Sequence, residues 1–111
     1  MQSLRIKKLT AFIKKFRDCK DVDDERKLVQ NKLNKIRMTF QKGTNGTTLK
    51  RYFWIMVFLN QAGYKCEFGQ TQVLQLMASN VYSEKYTGYN SINQLFSAGE
   101  ITLFEKASKI A

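Results

Sequence analysis

LKRYFWIMVFLNQAGYKCEFG, Leu49 to Gly69, opens with the basic pair Lys50-Arg51 and then runs from Tyr52 to Leu59 with no polar group except the tyrosine hydroxyl. Cations beside an apolar run are the usual anchors of a membrane span. At a rise of about 1.5 Å per residue this run covers roughly 12 Å, against about 30 Å of hydrocarbon core, so it is too short to cross. It reads instead as a helix buried among other helices with its charged end at a surface. Aromatic and aliphatic side chains fall on every side of it, the composition of an enclosed helix. Gly63 stands where a left-handed C′ residue would end it. Thr47 or Thr48 is placed to cap its start, which would put Lys50 and Arg51 in the first turn.

Outward from this helix the chain continues as helices. Leu9, Phe12, Ile13 and Phe16 recur at i, i+3, i+4 and i+7, so Ser3 to Cys19 reads as an amphipathic helix with Ser3 as its cap. Lys7 with Lys14, and Lys8 with Lys15, form two rows away from that stripe, the pattern of a solvated face. Asp21-Val22-Asp23-Asp24-Glu25 lacks the glycine and distal glutamate of a calcium loop. At a helix start the same carboxylates cap free N–H groups and complement the dipole, and this second helix extends to about Phe40 with Val29, Leu33, Ile36 and Phe40 on one face. Gln41 to Thr48 is a loop, and it has neither the G-x-x-x-x-G-K-[ST] pattern nor the preceding strand of a phosphate-binding loop. A fourth helix fits Gln70 to Ser79. A fifth begins at Ser83 with Tyr86, Tyr89, Ile92, Leu95 and Phe96 as its apolar set, and Gly88 inside it implies a closely packed neighbour. A last helix covers about Glu100 to Ile110. About six short helices with tight turns predict an all-α fold, a right-handed α-solenoid of short antiparallel helix pairs of the HEAT or armadillo type, with residues 1–111 as one piece.

Composition narrows the chemistry. The chain has no proline and no histidine, so imidazole metal sites and Ser-His-Asp or Cys-His catalysis are excluded. Cys19 and Cys66 are too few for a disulfide framework and read as reduced, partly buried thiols. No enzyme activity, no cofactor and no metal are expected. Nothing near Met1 has the apolar h-region of a secretory signal, so a cytosolic protein is expected. Residues 1–51 carry 15 Lys/Arg against 5 Asp/Glu, whereas residues 52–111 carry 4 of each, so the whole net charge of +10 lies in the first half. Such asymmetry points to an acidic partner, nucleic acid or an anionic membrane surface.

Several stretches combine in one order. Phe12-Ile13, Arg17-Asp18-Cys19-Lys20, Ile36-Arg37 with Phe40, Lys50-Arg51-Tyr52, Gly63 with Phe68-Gly69, and Tyr82-Ser83-Glu84-Lys85 with Gly88-Tyr89 follow one another between about Leu9 and Phe96. Together they resemble the N-terminal start of a large adaptin, the trunk subunit of clathrin adaptor complexes. The R-x-C-K and S-N-x-Y-x-E-K-x-x-G-Y wording is most similar to alpha-adaptin, while Phe68-Gly69-Gln70 and Ala78-Ser79 are closer to gamma-adaptin. The resemblance implies a HEAT-like helical trunk, several times longer than this chain, that sorts cargo in vesicle-mediated transport and endocytosis. It also implies partnership with other adaptor subunits and a peripheral place on the cytoplasmic face of the plasma membrane or of coated vesicles. Alpha-adaptins carry a phosphoinositide site at this end, and the matching positions here are Lys7, Lys27, Lys50, Arg51 and Tyr52. Leu49, Thr47 and Ile55 stand where alpha-adaptins tend to have Lys, Tyr and Lys, which implies a weaker or differently tuned site.

The chemistry of such a site follows from the residues as well. A helix N-terminus offers unpaired N–H groups and partial positive charge, so Lys and Arg there are disfavoured unless an anion compensates. Arg51 can hold phosphate oxygens in a bidentate fork and Tyr52 can add a hydroxyl donor. The alternative, a basic helical nucleic-acid-binding domain, ranks second because the aromatics fall in the apolar pattern rather than on exposed platforms.

Overall fold

The computed structural model describes residues 4–96, with side chains from Lys8 onward. Five helices are present among them: α1 (Leu4–Arg17), α2 (Val22–Lys42), α3 (Gly46–Gln61), α4 (Gln70–Met77) and α5 (Tyr82–Leu95). There is no strand among the described residues. The all-α class is as expected, and the short turns between packed helices are those of an α-solenoid. The Ser3 cap and the helix expected over residues 100–110 lie outside the described residues.

The capping chemistry sets the boundaries. Asp21 has extended backbone and its Oδ1 accepts the N–H of Asp24 at 2.8 Å, so the acidic cluster caps α2 as anticipated. Glu25 acts at longer range, since its carboxylate accepts the Tyr64 hydroxyl at 2.7 Å and ties the segment after α3 to α2. At the start of α3 the expectation from sequence is corrected. Asn45, not Thr47 or Thr48, is the cap, with its Oδ1 accepting the Thr48 N–H at 2.9 Å. Asparagine outranks threonine as a cap. The helix therefore opens at Gly46, which places Lys50 and Arg51 in its second turn. Gly63 does take a positive φ of 101° just past the end of α3.

The core is organised around α3, which packs against each of the other four helices. Leu49, Phe53, Ile55, Met56 and Leu59 are buried on all sides of it, as an uninterrupted apolar run requires. An aromatic cluster joins it to α2 and to the segment before α4: Phe40 stacks on Phe53 at 5.4 Å and meets Phe68 edge-on at 5.8 Å. Gly69, at a φ of 97°, sits against the same two rings, where a Cβ would come within 3.1 Å of Phe40 and 3.2 Å of Phe53. On α1, Phe12 is buried and Phe16 packs edge-on against Phe58 at 5.2 Å. Both cysteines are free. Burial pushes the Cys66 thiol up to about 11, so it stays protonated at neutral pH.

Of the expected apolar set of α5, Ile92 and Phe96 are buried and Leu95 packs against the core, but the two tyrosines do not. Tyr86 and Tyr89 are exposed, and the buried row is Thr87, Gly88, Ser91 and Ile92. Small residues win because α4 comes so close: a Cβ on Gly88 would lie 2.9 Å from the Met77 backbone nitrogen and 3.0 Å from the Leu76 Cβ. Large rings could not enter such a contact. Replacing Gly88 by Ala gains about 1 kcal/mol of helix propensity but forces α4 and α5 apart, at about 1–3 kcal/mol for overpacking. Urea denaturation of Gly88→Ala is expected to show a net loss of about 1 kcal/mol. A stabilised variant would mean the crossing is looser than the structure shows.

Candidate functional site: a cationic groove beside α1

Helix α1 lies against α3 with a cavity on each flank. The first, about 380 Å³, is enclosed by α1, α2 and α3. Lys8 and Lys15 reach it from α1, Lys32 and Lys35 from α2, and Arg51 from α3, over a floor of Ala11, Phe12 and Leu28, with Asn31 beside them. None of the described residues lining it is acidic. Five cations thus converge on one groove with no carboxylate among them.

Lys32 is at its centre. Its Nζ sits 5.5 Å from the Phe12 ring and 5.6 Å from the Tyr52 ring, so ring faces support part of its charge. Partial burial, then the positive charges of Lys35, Arg51 and Lys15, hold its pKa below the usual lysine range, with Tyr52 opposing them. Tyr52 is buried with its ring 5.0 Å from the Arg51 guanidinium. Burial would raise its phenol, but hydrogen bonds with Thr39 and Arg51 and the charges of Arg51 and Lys32 outweigh that and lower it. Each shift has the sign of a site with excess positive charge.

The second cavity, about 350 Å³, lies between α1, α3 and α5 and is lined by Leu9, Lys50, Arg51, Trp54, Tyr82, Ser83, Tyr86 and Thr87. Arg51 borders both cavities. Lys50 does not join the groove. Only 6% exposed, it turns towards α5 and donates to the Ser83 hydroxyl at 2.7 Å.

The residues singled out from sequence therefore separate. Arg51 lines the groove, and Tyr52 lies against Arg51 and Lys32. Lys27 is exposed on α2 one turn before Asn31, on the row that leads into the groove but not among its lining residues. Lys7 belongs to the backbone of α1, and its side chain lies outside the described residues. Lys8, Lys15, Lys32 and Lys35 line the groove and were not singled out from sequence. The signal was present: Lys8 and Lys15 share a row, as do Leu28, Asn31, Lys32 and Lys35, but only the helix crossing brings the rows face to face. The expected anion seat at the α3 N-terminus has a local occupant as well. A Cβ on Gly46 would collide with the Glu84 carboxylate, which also accepts the Ser79 hydroxyl at 3.0 Å. A carboxylate at that end already complements the helix dipole.

Helix stacking and a groove whose described lining carries five cations and no carboxylate together describe a basic α-helical scaffold. In sequence the chain is homologous to a segment of the large adaptins, of both alpha and gamma type. It is 32% identical over 83 residues to AP-2 complex subunit alpha-1 of Arabidopsis thaliana, which covers 73% of this chain and 8% of that protein. It is 33% identical over 92 residues to AP-1 complex subunit gamma-1 of Mycosarcoma maydis, covering 83% and 10%. With AP-2 complex subunit alpha of Schizosaccharomyces pombe it is 35% identical over 91 residues, covering 81% and 10%. No model of a protein family matches the chain. The chain spans about a tenth of the length of these curated relatives. Among the described residues no helix is long and apolar enough to cross a membrane, and no cluster of His, Cys, Asp or Glu is suited to hold a metal ion.

The lowered pKa of Lys32 has a signed consequence. Between that value and the ordinary lysine range the unfolded chain binds more protons than the folded one, so stability rises with pH across that window. Below it, at neutral pH, the cost of holding the charge is present in full. NMR titration of the Lys32 Cε resonance should give a midpoint below those of the exposed lysines. A bound phosphate group should move it upward, since an anion favours the charged form.

Proposed function

We propose that the chain is one piece of an adaptor-complex large subunit and that the groove between α1, α2 and α3 takes the phosphorylated head group of a phosphoinositide. The observation that carries this reading is the convergence of Lys8, Lys15, Lys32, Lys35 and Arg51 on a groove whose described lining has no acidic residue. Homology to alpha and gamma subunits of AP complexes supports it. In this reading the chain serves clathrin-dependent vesicle transport from the cytoplasmic face of a membrane, is not an enzyme, and contacts other adaptor subunits through surfaces away from the groove. Arg51 supplies the bidentate contact and the lysines supply point charges. Tyr52 orients Arg51 from below. Lys7 and Lys27 extend the basic rows of α1 and α2 beyond the groove, and Lys50 acts through packing that holds Arg51 in place.

Magnitude fixes the mode of action. At about 1 kcal/mol per Lys or Arg near an anionic leaflet, five cations give roughly 5 kcal/mol. That corresponds to sub-millimolar affinity. A site of this strength works as one of several contacts added by avidity.

Vesicle co-sedimentation should show stronger binding to bilayers containing bisphosphorylated phosphoinositide than to phosphatidylserine bilayers of matched charge. Neutralising Lys32 and Arg51 together should weaken binding by about 2 kcal/mol, roughly 30-fold, whereas Lys27→Ala should have a smaller effect. Equal binding to both bilayers reduces the groove to generic charge attraction, and tighter binding to RNA than to either favours the nucleic-acid reading.

A further inference from the structure

Tyr82, Tyr86 and Tyr89 are 80%, 55% and 52% exposed. They recur at i, i+4 and i+7 along α5 and so share one face of the helix. Tyr82 and Tyr86 stack at 6.4 Å with an interplanar angle of 25°, which makes a continuous aromatic surface. The same two rings form the wall of the cavity that also holds Trp54, and Arg51 connects that cavity to the cationic groove. Val81, at the start of this face, is 51% exposed. Two stacked, exposed tyrosines beside an open apolar cavity, with Tyr89 one turn further along the same face, form a patch of the kind that marks an interaction site.

We propose that this tyrosine face and the cavity at Trp54 form a second membrane contact, seated in the interfacial layer of an anionic bilayer while the groove holds a head group. The inference rests on the head-group reading of the groove and adds an aromatic contact to its electrostatic one. Charge complementarity selects the occupant. The cavity beside the patch is lined by Lys50 and Arg51, it adjoins the cationic groove, and Lys85 is exposed on the same helix, so an anionic surface is favoured there. Tyr and Trp suit that position because an apolar ring body and a polar tip match the water-to-hydrocarbon gradient of the interface. Cations alone would give a contact that salt dissolves within a Debye length. Ring burial adds a part that salt does not screen.

Trp54 is the single tryptophan of the chain, so its fluorescence reports this cavity directly. On vesicles containing bisphosphorylated phosphoinositide and lipids brominated near the glycerol backbone, Trp54 emission should be quenched. Soluble inositol trisphosphate should not quench it. Tyr82→Ala with Tyr86→Ala should weaken vesicle binding by about tenfold, the loss of roughly 60 Å² of buried apolar surface, and should leave inositol trisphosphate affinity unchanged. Retained inositol trisphosphate affinity also shows that the variant is folded. Vesicle affinity equal to the parent chain, or an unquenched Trp54 on bound vesicles, overturns the inference while the head-group site stands. Absent inositol trisphosphate binding with vesicle affinity still dependent on the tyrosines removes the head-group reading and keeps the aromatic contact. A variant that loses RNA binding and keeps vesicle binding assigns the face to nucleic acid and overturns the proposal.

Discussion

Burial of α3 on every side is the constraint from which the remaining structure follows. A helix carrying Phe53, Met56 and Leu59 at 0% exposure needs neighbours all round, and α1, α2, α4 and α5 supply them. Such neighbours cannot cover its cationic turn as well. Lys50 and Arg51 are adjacent and about 100° apart around the helix, so one is drawn beneath α5 and the other is left between α1 and α2. The groove is the gap where α1 and α2 diverge over the cationic turn of α3.

In the groove, the cations are brought together by helix packing. The described lining of the groove lacks carboxylates, and what tempers the charge of Lys32 is the faces of Phe12 and Tyr52. Acidic residues are used elsewhere: Asp21 caps α2, Glu25 holds Tyr64, and Glu84 occupies the start of α3. Residues 1–51 hold 15 Lys/Arg against 5 Asp/Glu, so a net positive field remains over that half. The pKa of Lys32 is lowered first by burial and then by the neighbouring positive charges of Lys35, Arg51 and Lys15.

How far the sequence discloses this depends on whether a feature is local. The Asp21 cap, the left-handed Gly63 and the tight packing at Gly88 were legible because each is governed by a turn of chain or by a residue with no side chain. The start of α3 was displaced because the threonines were read as the cap, whereas Asn45, a stronger capping residue two positions earlier, takes that role. The tyrosines of α5 read as core by periodicity, yet α4 comes so close at Gly88 that the buried row is Thr87, Gly88, Ser91 and Ile92. Arg51 was singled out from sequence, but the lysines that line the groove with it, Lys8, Lys15, Lys32 and Lys35, were not. Which basic rows face each other is decided by helix crossing, and no single segment encodes that. The burial of Lys50 likewise depends on Ser83, 33 residues away in sequence.

The most direct measurement is an NMR map of inositol trisphosphate on the chain, with lysine and arginine side-chain resonances followed as the ligand is added. Perturbations centred on Lys8, Lys15, Lys32, Lys35 and Arg51, with Lys50 and the Gly46–Leu49 amides little changed, are expected if phosphate enters the groove. Perturbations centred on the first turn of α3, or spread evenly over exposed lysines such as Lys27 and Lys65, would contradict it.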